Sequence, residues 1–293
     1  MITRLGGFMA KILRWAGYLF GALLLIVIAA ALAIWALSQR TLGERPQAKP
    51  ERLIPASEAS LETGQYLLVA RACAECHGDQ VRGAKFLDIP KVATLYAPNL
   101  PLLAKTATDQ QLAQAIRQGI GHDGRPLLIM PSESYQFFTD AETAALIKAI
   151  RALPPTGAAT PPVRIGPRGR VGIVIGKLET GPALVEHYAA SQPADLGPQF
   201  AAGRHIAMTV CSGCHGSTFG GKEAEPGTFA PDLTKTGAYD LPAFTRLLRT
   251  GLPPSGKELK MMTGVSRKAF AHFTDEEIAS LHAYLVERAR RAP

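Results

Sequence analysis

The longest apolar run of the chain lies near its N-terminus, where twenty-three residues from Trp15 to Leu37 pass without a charge. At about 1.5 Å per helical residue such a run crosses the hydrocarbon core of a bilayer, so it predicts one transmembrane helix over about 15–37. Trp15 and Tyr18 stand at one end and Trp35 at the other, where aromatic rings prefer the headgroup boundary. A cleaved signal sequence is the rival: Arg4, Lys11 and Arg14 give a basic start and Ala31-Leu32-Ala33 offers small residues for cleavage. Its apolar centre would be shorter, and the length favours an uncleaved anchor. Beyond residue 52, apolar positions recur at helical spacing in short stretches punctuated by glycine and proline.

Those stretches come in the same order twice, which predicts a duplicated domain at about 53–153 and 200–293. Each copy opens with a helical stretch carrying a glycine, Gly64-Gln-Tyr-Leu in one and Gly203-Arg-His-Ile in the other. Each then has a Cys-x-x-Cys-His frame, Cys73 to His77 and Cys211 to His215, with the first cysteines 138 residues apart. Ala97-Pro98-Asn99-Leu100 is matched by Ala230-Pro231-Asp232-Leu233. A helix follows that ends at glycine, Gly119 or Gly251, as a left-handed C-cap requires. After a methionine, a last helix opens with a capping box, Thr139 to Glu142 or Thr274 to Glu277. Between the copies, 154–199 is a Pro- and Gly-rich connector with one apolar patch, Val171-Gly-Ile-Val-Ile, that reads as a short strand or a turn. Residues 43–55 and 154–167 read as semi-rigid spacers that hold the domains away from the membrane and from each other.

All four cysteines belong to the two frames, and none is left for a structural disulfide. Two thiols three positions apart can form thioethers to the vinyl groups of a haem while the adjacent imidazole reaches the iron. A four-thiolate zinc site would have to bridge two separate copies. A thioredoxin-like pair expects a βαβ context, whereas these surroundings read as short helices. A disulfide within each frame leaves the two histidines unexplained. The cofactors expected are therefore two covalently attached haem c groups with His77 and His215 as iron ligands.

A sixth ligand distinguishes an electron carrier from an iron that binds small molecules. Four methionines lie outside the N-terminal arm: Met130, Met208, Met261 and Met262. Met208 precedes Cys211 by three residues and reads as core. Met130 is the one remaining methionine of the first copy and the candidate ligand there. In the second copy Met261 and Met262 compete, and Met262 is preferred because a turn and the last helix follow it. His122, His187, His205, His272 and His282 have no ligand partner at suggestive spacing and read as surface or core residues.

With these motifs the chain resembles tandem class I cytochromes c, and is similar to membrane-anchored dihaem cytochrome c proteins that serve periplasmic dehydrogenases. The resemblance covers 57–290 apart from the connector. It implies an all-α fold of short helices around each haem, following the anchor, with no sheet of consequence. It implies that the carbonyls of Pro98 and Pro231 accept a hydrogen bond from the axial histidines, and that Gly64 and Gly203 lie where the first and last helices cross. Haem attachment outside the cytoplasm implies a bacterial inner-membrane protein, single-pass, with its haem domains on the periplasmic side. The implied function is electron transfer between a periplasmic or membrane dehydrogenase and the respiratory chain, with a dehydrogenase, a soluble cytochrome or a terminal oxidase as redox partner and no bond-making chemistry. The alternative is a dihaem redox enzyme of the peroxidase or thiosulfate-oxidising type, in which one haem lacks its methionine.

Composition narrows the classes further. Apolar residues at 47% and charged residues at 19% exclude a disordered chain. The net charge of +8 gathers at the N-terminus: residues 1–52 carry +5 and 53–155 carry −1. No basic stripe with interleaved aromatics runs through 53–293, so no nucleic-acid partner is expected. Basic residues flank the apolar run on both sides, so charge leaves its orientation open and the cysteines decide it. Lys257, Lys260, Arg267 and Lys268 form a candidate docking face for an acidic partner.

Overall fold

The computed structural model describes residues 2–225 and 227–292, and the side chains of 2–8, 10 and 225 lie outside that description. Met1 and Pro293, the outer ends of the expected segments, and the Arg4 side chain are therefore outside it too. Helix α1 runs Ile2–Leu42, longer than the expected span at both ends. Its stretch Lys11–Leu42 is long and apolar enough to cross a membrane, with a mean hydropathy of 2.7.

The first copy comprises α2 (Leu61–Ala70), α3 (Cys73–His77), strands β1 (Ala84–Ile89) and β2 (Ala93–Ala97), then α4 (Leu100–Leu103), α5 (Asp109–Gln118), α6 (Ser132–Tyr135) and α7 (Asp140–Ala152). The connector forms β3 (Arg164–Ile165), α8 (Pro167–Val174) and α9 (Gly181–Ala190). The second copy has α10 (Ala201–Ile206), α11 (Ser212–His215), β4 (Lys222–Glu225), β5 (Thr228–Ala230), α12 (Leu241–Thr250), α13 (Met261–Lys268) and α14 (Asp275–Arg291). Helices dominate, as expected, but each copy carries its chain from histidine to proline through an antiparallel hairpin, β1–β2 or β4–β5, and β3 pairs with β2. Along β2 the burial alternates strictly, the period-2 pattern of a half-buried strand.

The punctuation behaves as its chemistry dictates. Gly119 and Gly251 end α5 and α12 in the left-handed conformation, at φ 67° and 73°. Both expected capping boxes form at the starts of α7 and α14. Gly64 and Gly203 lie at helix crossings: a Cβ on Gly64 would stand 1.9 Å from the Ala145 carbonyl oxygen of α7, and one on Gly203 2.0 Å from that of Ser280 in α14. Only glycine lets two backbones approach so closely.

The spacer readings are overturned. Residues 49–51 lie along α5: the Lys49 amide donates to Gln118 at 2.8 Å, the Glu51 amide to Gln110 at 2.9 Å, and the buried Glu51 carboxylate meets Arg117. The apolar patch of the connector is α8, neither strand nor turn, started by Pro167 in its first turn. Arg170 of α8 donates to Ser38 Oγ (2.8 Å) and Gln39 (3.1 Å) at the end of α1. Helix α9 packs on α6, and its buried Tyr188 reaches the Ser212 carbonyl of the second copy.

The two copies also touch directly, and the contacts pair like with like. Tyr66 of α2 donates to Glu277 in the first turn of α14, while His205 of α10 meets Glu142 in the first turn of α7 at 2.9 Å. These are the same two positions of the repeat, exchanged. Tyr66, Ala70, Ala72 and Phe137 of the first copy join the apolar core of the second. The arrangement is that of a two-fold interface within one chain.

Candidate haem sites

In the first copy the helix leading to the motif stops at Arg71. Ala72 takes a left-handed conformation (φ 58°), and α3 presents Cys73, Cys76 and His77 on a single turn. In the second copy the approach is continuous, through a π-helical turn at Ala207–Cys211 into α11. Each motif is closed by a glycine at positive φ, Gly78 at 73° and Gly216 at 83°. The histidine carbonyl then accepts from Gly83 or Gly221.

Both histidines meet the expected proline carbonyls, His77 Nδ1 to Pro98 at 2.9 Å and His215 Nδ1 to Pro231 at 2.7 Å. A carbonyl can only accept, so Nδ1 carries the proton and Nε2 is the nitrogen open to a metal. The prolines are held in turn by the residue that follows. Asn99, buried, caps α4 by accepting from the Leu102 amide (3.1 Å) and donates to the Thr156 carbonyl (3.0 Å); Asp232 accepts from Thr234 and pairs with Arg288. Burial pushes the pKa of both imidazoles down, against the upward pull of the proline hydrogen bonds. Neutral imidazole is the form that binds a metal.

The four cysteines are free of disulfides. Burial pushes the thiols of Cys73 and Cys211 up to about 12, and raises that of Cys76, with Glu75 adding to the effect. A redox dithiol or a zinc-thiolate site needs the opposite shift. Among the described residues no three His, Cys, Asp or Glu side chains gather to hold a bare ion.

Met130 lies half-buried on the same apolar core that Cys73 borders, with Leu67, Leu112, Phe138 and Leu146 among its members. Met262 stands in the same relation to the core bordered by Cys211, whereas its rival Met261 is 36% exposed. Met208 is buried core, as expected. Each copy thus offers two thiols, an imidazole with a fixed tautomer and a thioether, with the first thiol and the thioether on one apolar cluster. That donor set fits a covalently attached haem.

The comparisons agree. The family model for cytochrome c matches residues 200–289, and the model for cytochrome c oxidase, cbb3-type, subunit III matches 59–148. The chain carries two cytochrome c domains in tandem. Comparison with curated proteins gives no match. A dihaem cytochrome c binds two haem c groups covalently and works by haem-based electron transfer. The site also contains what sequence reasoning missed. Arg71 is 5% exposed, and two of its guanidinium nitrogens, Nε and Nη1, are buried without a hydrogen-bond partner. Tyr135, also buried, donates to the Arg71 carbonyl at 2.7 Å. In the sequence Arg71 is only a basic residue at a helix end, where cations are ordinary.

The docking face proposed from sequence is partly engaged within the molecule. Lys268 pairs with Glu75 at 2.6 Å and Arg267 with Glu258 at 2.9 Å. This leaves Lys257 and Lys260, both exposed, as its cations without an ion pair among the described residues.

Proposed function

We propose that the protein is a membrane-anchored electron carrier between a periplasmic or membrane dehydrogenase and the respiratory chain, with α1 in the bacterial inner membrane and both domains on the periplasmic side. The observation that carries this reading is the pair of equivalent donor sets on one chain, joined to a helix apolar enough to span a bilayer. When bound, each haem supplies a one-electron iron couple and no group to transfer. Cys73 and Cys76, and Cys211 and Cys214, would tether the two groups. His77 and His215 would bind the irons through Nε2, with Met130 and Met262 supplying a thioether to each. Methionine in that role favours the reduced iron relative to a second histidine. Pro98 and Pro231 hold the imidazoles at a fixed rotation, which keeps rearrangement small when an electron arrives. The apolar cores exclude water, with the same consequence.

Two methionines in equivalent places support a carrier over an enzyme with an open iron. The match to a cbb3-type oxidase subunit supports an oxidase at the far end of the electron path. The test is electron flow from dehydrogenase substrates to oxygen in membranes of the parent cell and of a cell lacking this chain. The flow is expected to fall with loss of the chain and to return with the full-length gene but not with a His77→Ala, His215→Ala double variant. Unchanged flow would overturn the assignment.

A further inference from the structure

The junction between the domains is built around the haem motifs themselves. Glu75, inside the first motif, pairs with Lys268 at the end of α13, the helix that carries Met262. Ser212, inside the second motif, accepts from Ser134 of α6, just beyond Met130, at 2.8 Å, since its own hydroxyl donates to the Met208 carbonyl. A Cβ on Gly213 would already stand 3.3 Å from Ser134 Oγ. Each motif therefore faces the methionine side of the other domain.

Arg71 enters this junction from the first domain. It stands two residues before Cys73, and its guanidinium lies 5.5 Å from the centre of the Phe273 ring, in the core of the second. Arginine stays charged in any protein setting. Burying that charge without an anion is costly, and the face of Phe273 offsets only part of the cost. Among the described residues no carboxylate pairs with it, and the charge acts through a medium of low dielectric on whatever lies on either side. Its chain neighbours Ala70 and Ala72 pack on the core that Cys211 borders, so Arg71 stands beside both motifs.

We propose that Arg71 is a positioning charge shared by the two haems, which raises the reduction potentials of both from one buried place between the domains. A positive charge favours the iron that has gained an electron, and this one is held where both cofactors attach. The proposal rests on the haem sites assigned above. A failure of those sites would show in the wild-type spectrum whatever Arg71 does, so the two fail separately.

The test uses full-length holoprotein in detergent and follows both midpoint potentials by spectropotentiometry. Arg71→Gln is expected to lower both, each by at least a tenfold change in the ferrous-to-ferric ratio at fixed ambient potential, about 59 mV for one electron. Arg71→Lys should restore most of the loss, and Arg71→Met serves if the glutamine variant does not mature. Ser134→Ala, which loosens the junction without touching charge, should leave both potentials in place. A shift in one haem only, no shift, no rescue by lysine, or an equal fall in Ser134→Ala would each overturn the proposal.

Discussion

Gly203→Ala adds a single methyl group, and in an isolated helix it would be favourable by up to about 1 kcal/mol, because alanine orders more cheaply than glycine. Here the new Cβ would stand 2.0 Å from the Ser280 carbonyl oxygen and 2.8 Å from Tyr284 Cβ. Real Cβ contacts essentially never fall below 3.0 Å, so α10 and α14 must part by about 1 Å. The clashing atom is backbone and cannot rotate away. Tyr284, Leu281 and Ile278 on the facing side of α14 are all 1% exposed or less, so a separation loosens contacts along the whole crossing. Overpacking a tight core costs about 1–3 kcal/mol, occasionally more, and this site belongs at the upper end. Net of propensity, a loss of about 2–3 kcal/mol is expected, or roughly 10–20 °C in the midpoint of a domain near 100 residues. The assay is thermal unfolding of the oxidised holoprotein followed by far-UV circular dichroism and by haem absorbance. Gly264→Ala in α13 is the internal contrast, because its Cβ meets nothing within 4 Å, and it should be neutral or stabilising. A Gly203→Ala protein that melts with the wild type would refute the close-crossing argument.

Three further outcomes follow from the sites and the junction. Met130→Ala and Met262→Ala should each keep the haem attached but let cyanide or imidazole bind one iron at least tenfold more tightly, by optical titration, while Met261→Ala should leave binding unchanged. His215→Ala should remove the second domain's redox signal and lower its melting midpoint by more than 10 °C, since the imidazole anchors both the cofactor and the loop through Pro231. At Glu142, burial favours the neutral acid, but the hydrogen bond and charge of His205 and the bonds from Thr139 hold the pKa below the ordinary carboxylate value. A depressed folded pKa contributes stability that is present above the unfolded value of about 4.3 and is lost as pH falls through the folded one. Glu142→Gln keeps the capping hydrogen bond yet removes the charge, so its melting deficit should be present at about pH 5–6 and shrink as pH falls below the ordinary carboxylate range. A deficit independent of pH would contradict the pairing.

Features governed by local chemistry were legible in the sequence. Capping boxes, glycine C-caps and the spacing of Cys-x-x-Cys-His involve residues within a few positions of each other, and the repeat doubled every signal. The crossing glycines Gly64 and Gly203 were legible only through the resemblance, because nothing local distinguishes them from glycine tolerated near a helix start. In the connector, proline reads from sequence as a spacer residue. Pro167 and Pro182 instead sit in the first turns of α8 and α9, where a missing amide costs nothing. The hairpins β1–β2 and β4–β5 escaped because strands of three to six residues leave too short an alternation to see. The junction had no sequence signal at all. Tyr66 with Glu277, and Ser134 with Ser212, are 211 and 78 positions apart, and each looks like an ordinary surface residue until the domains are docked. Arg71 was hidden for the same reason: the ring it lies over, Phe273, comes from the other domain.

The central claim is that both irons are held by histidine and methionine and only exchange electrons. The most direct test is electron paramagnetic resonance of the resting oxidised full-length protein, read with the near-infrared charge-transfer band that marks methionine on ferric haem. Two low-spin signals of equal weight, with band intensity for two methionine-ligated haems per chain, are predicted. A high-spin signal approaching one iron per chain would mean an open site, and would contradict the carrier in favour of a dihaem enzyme.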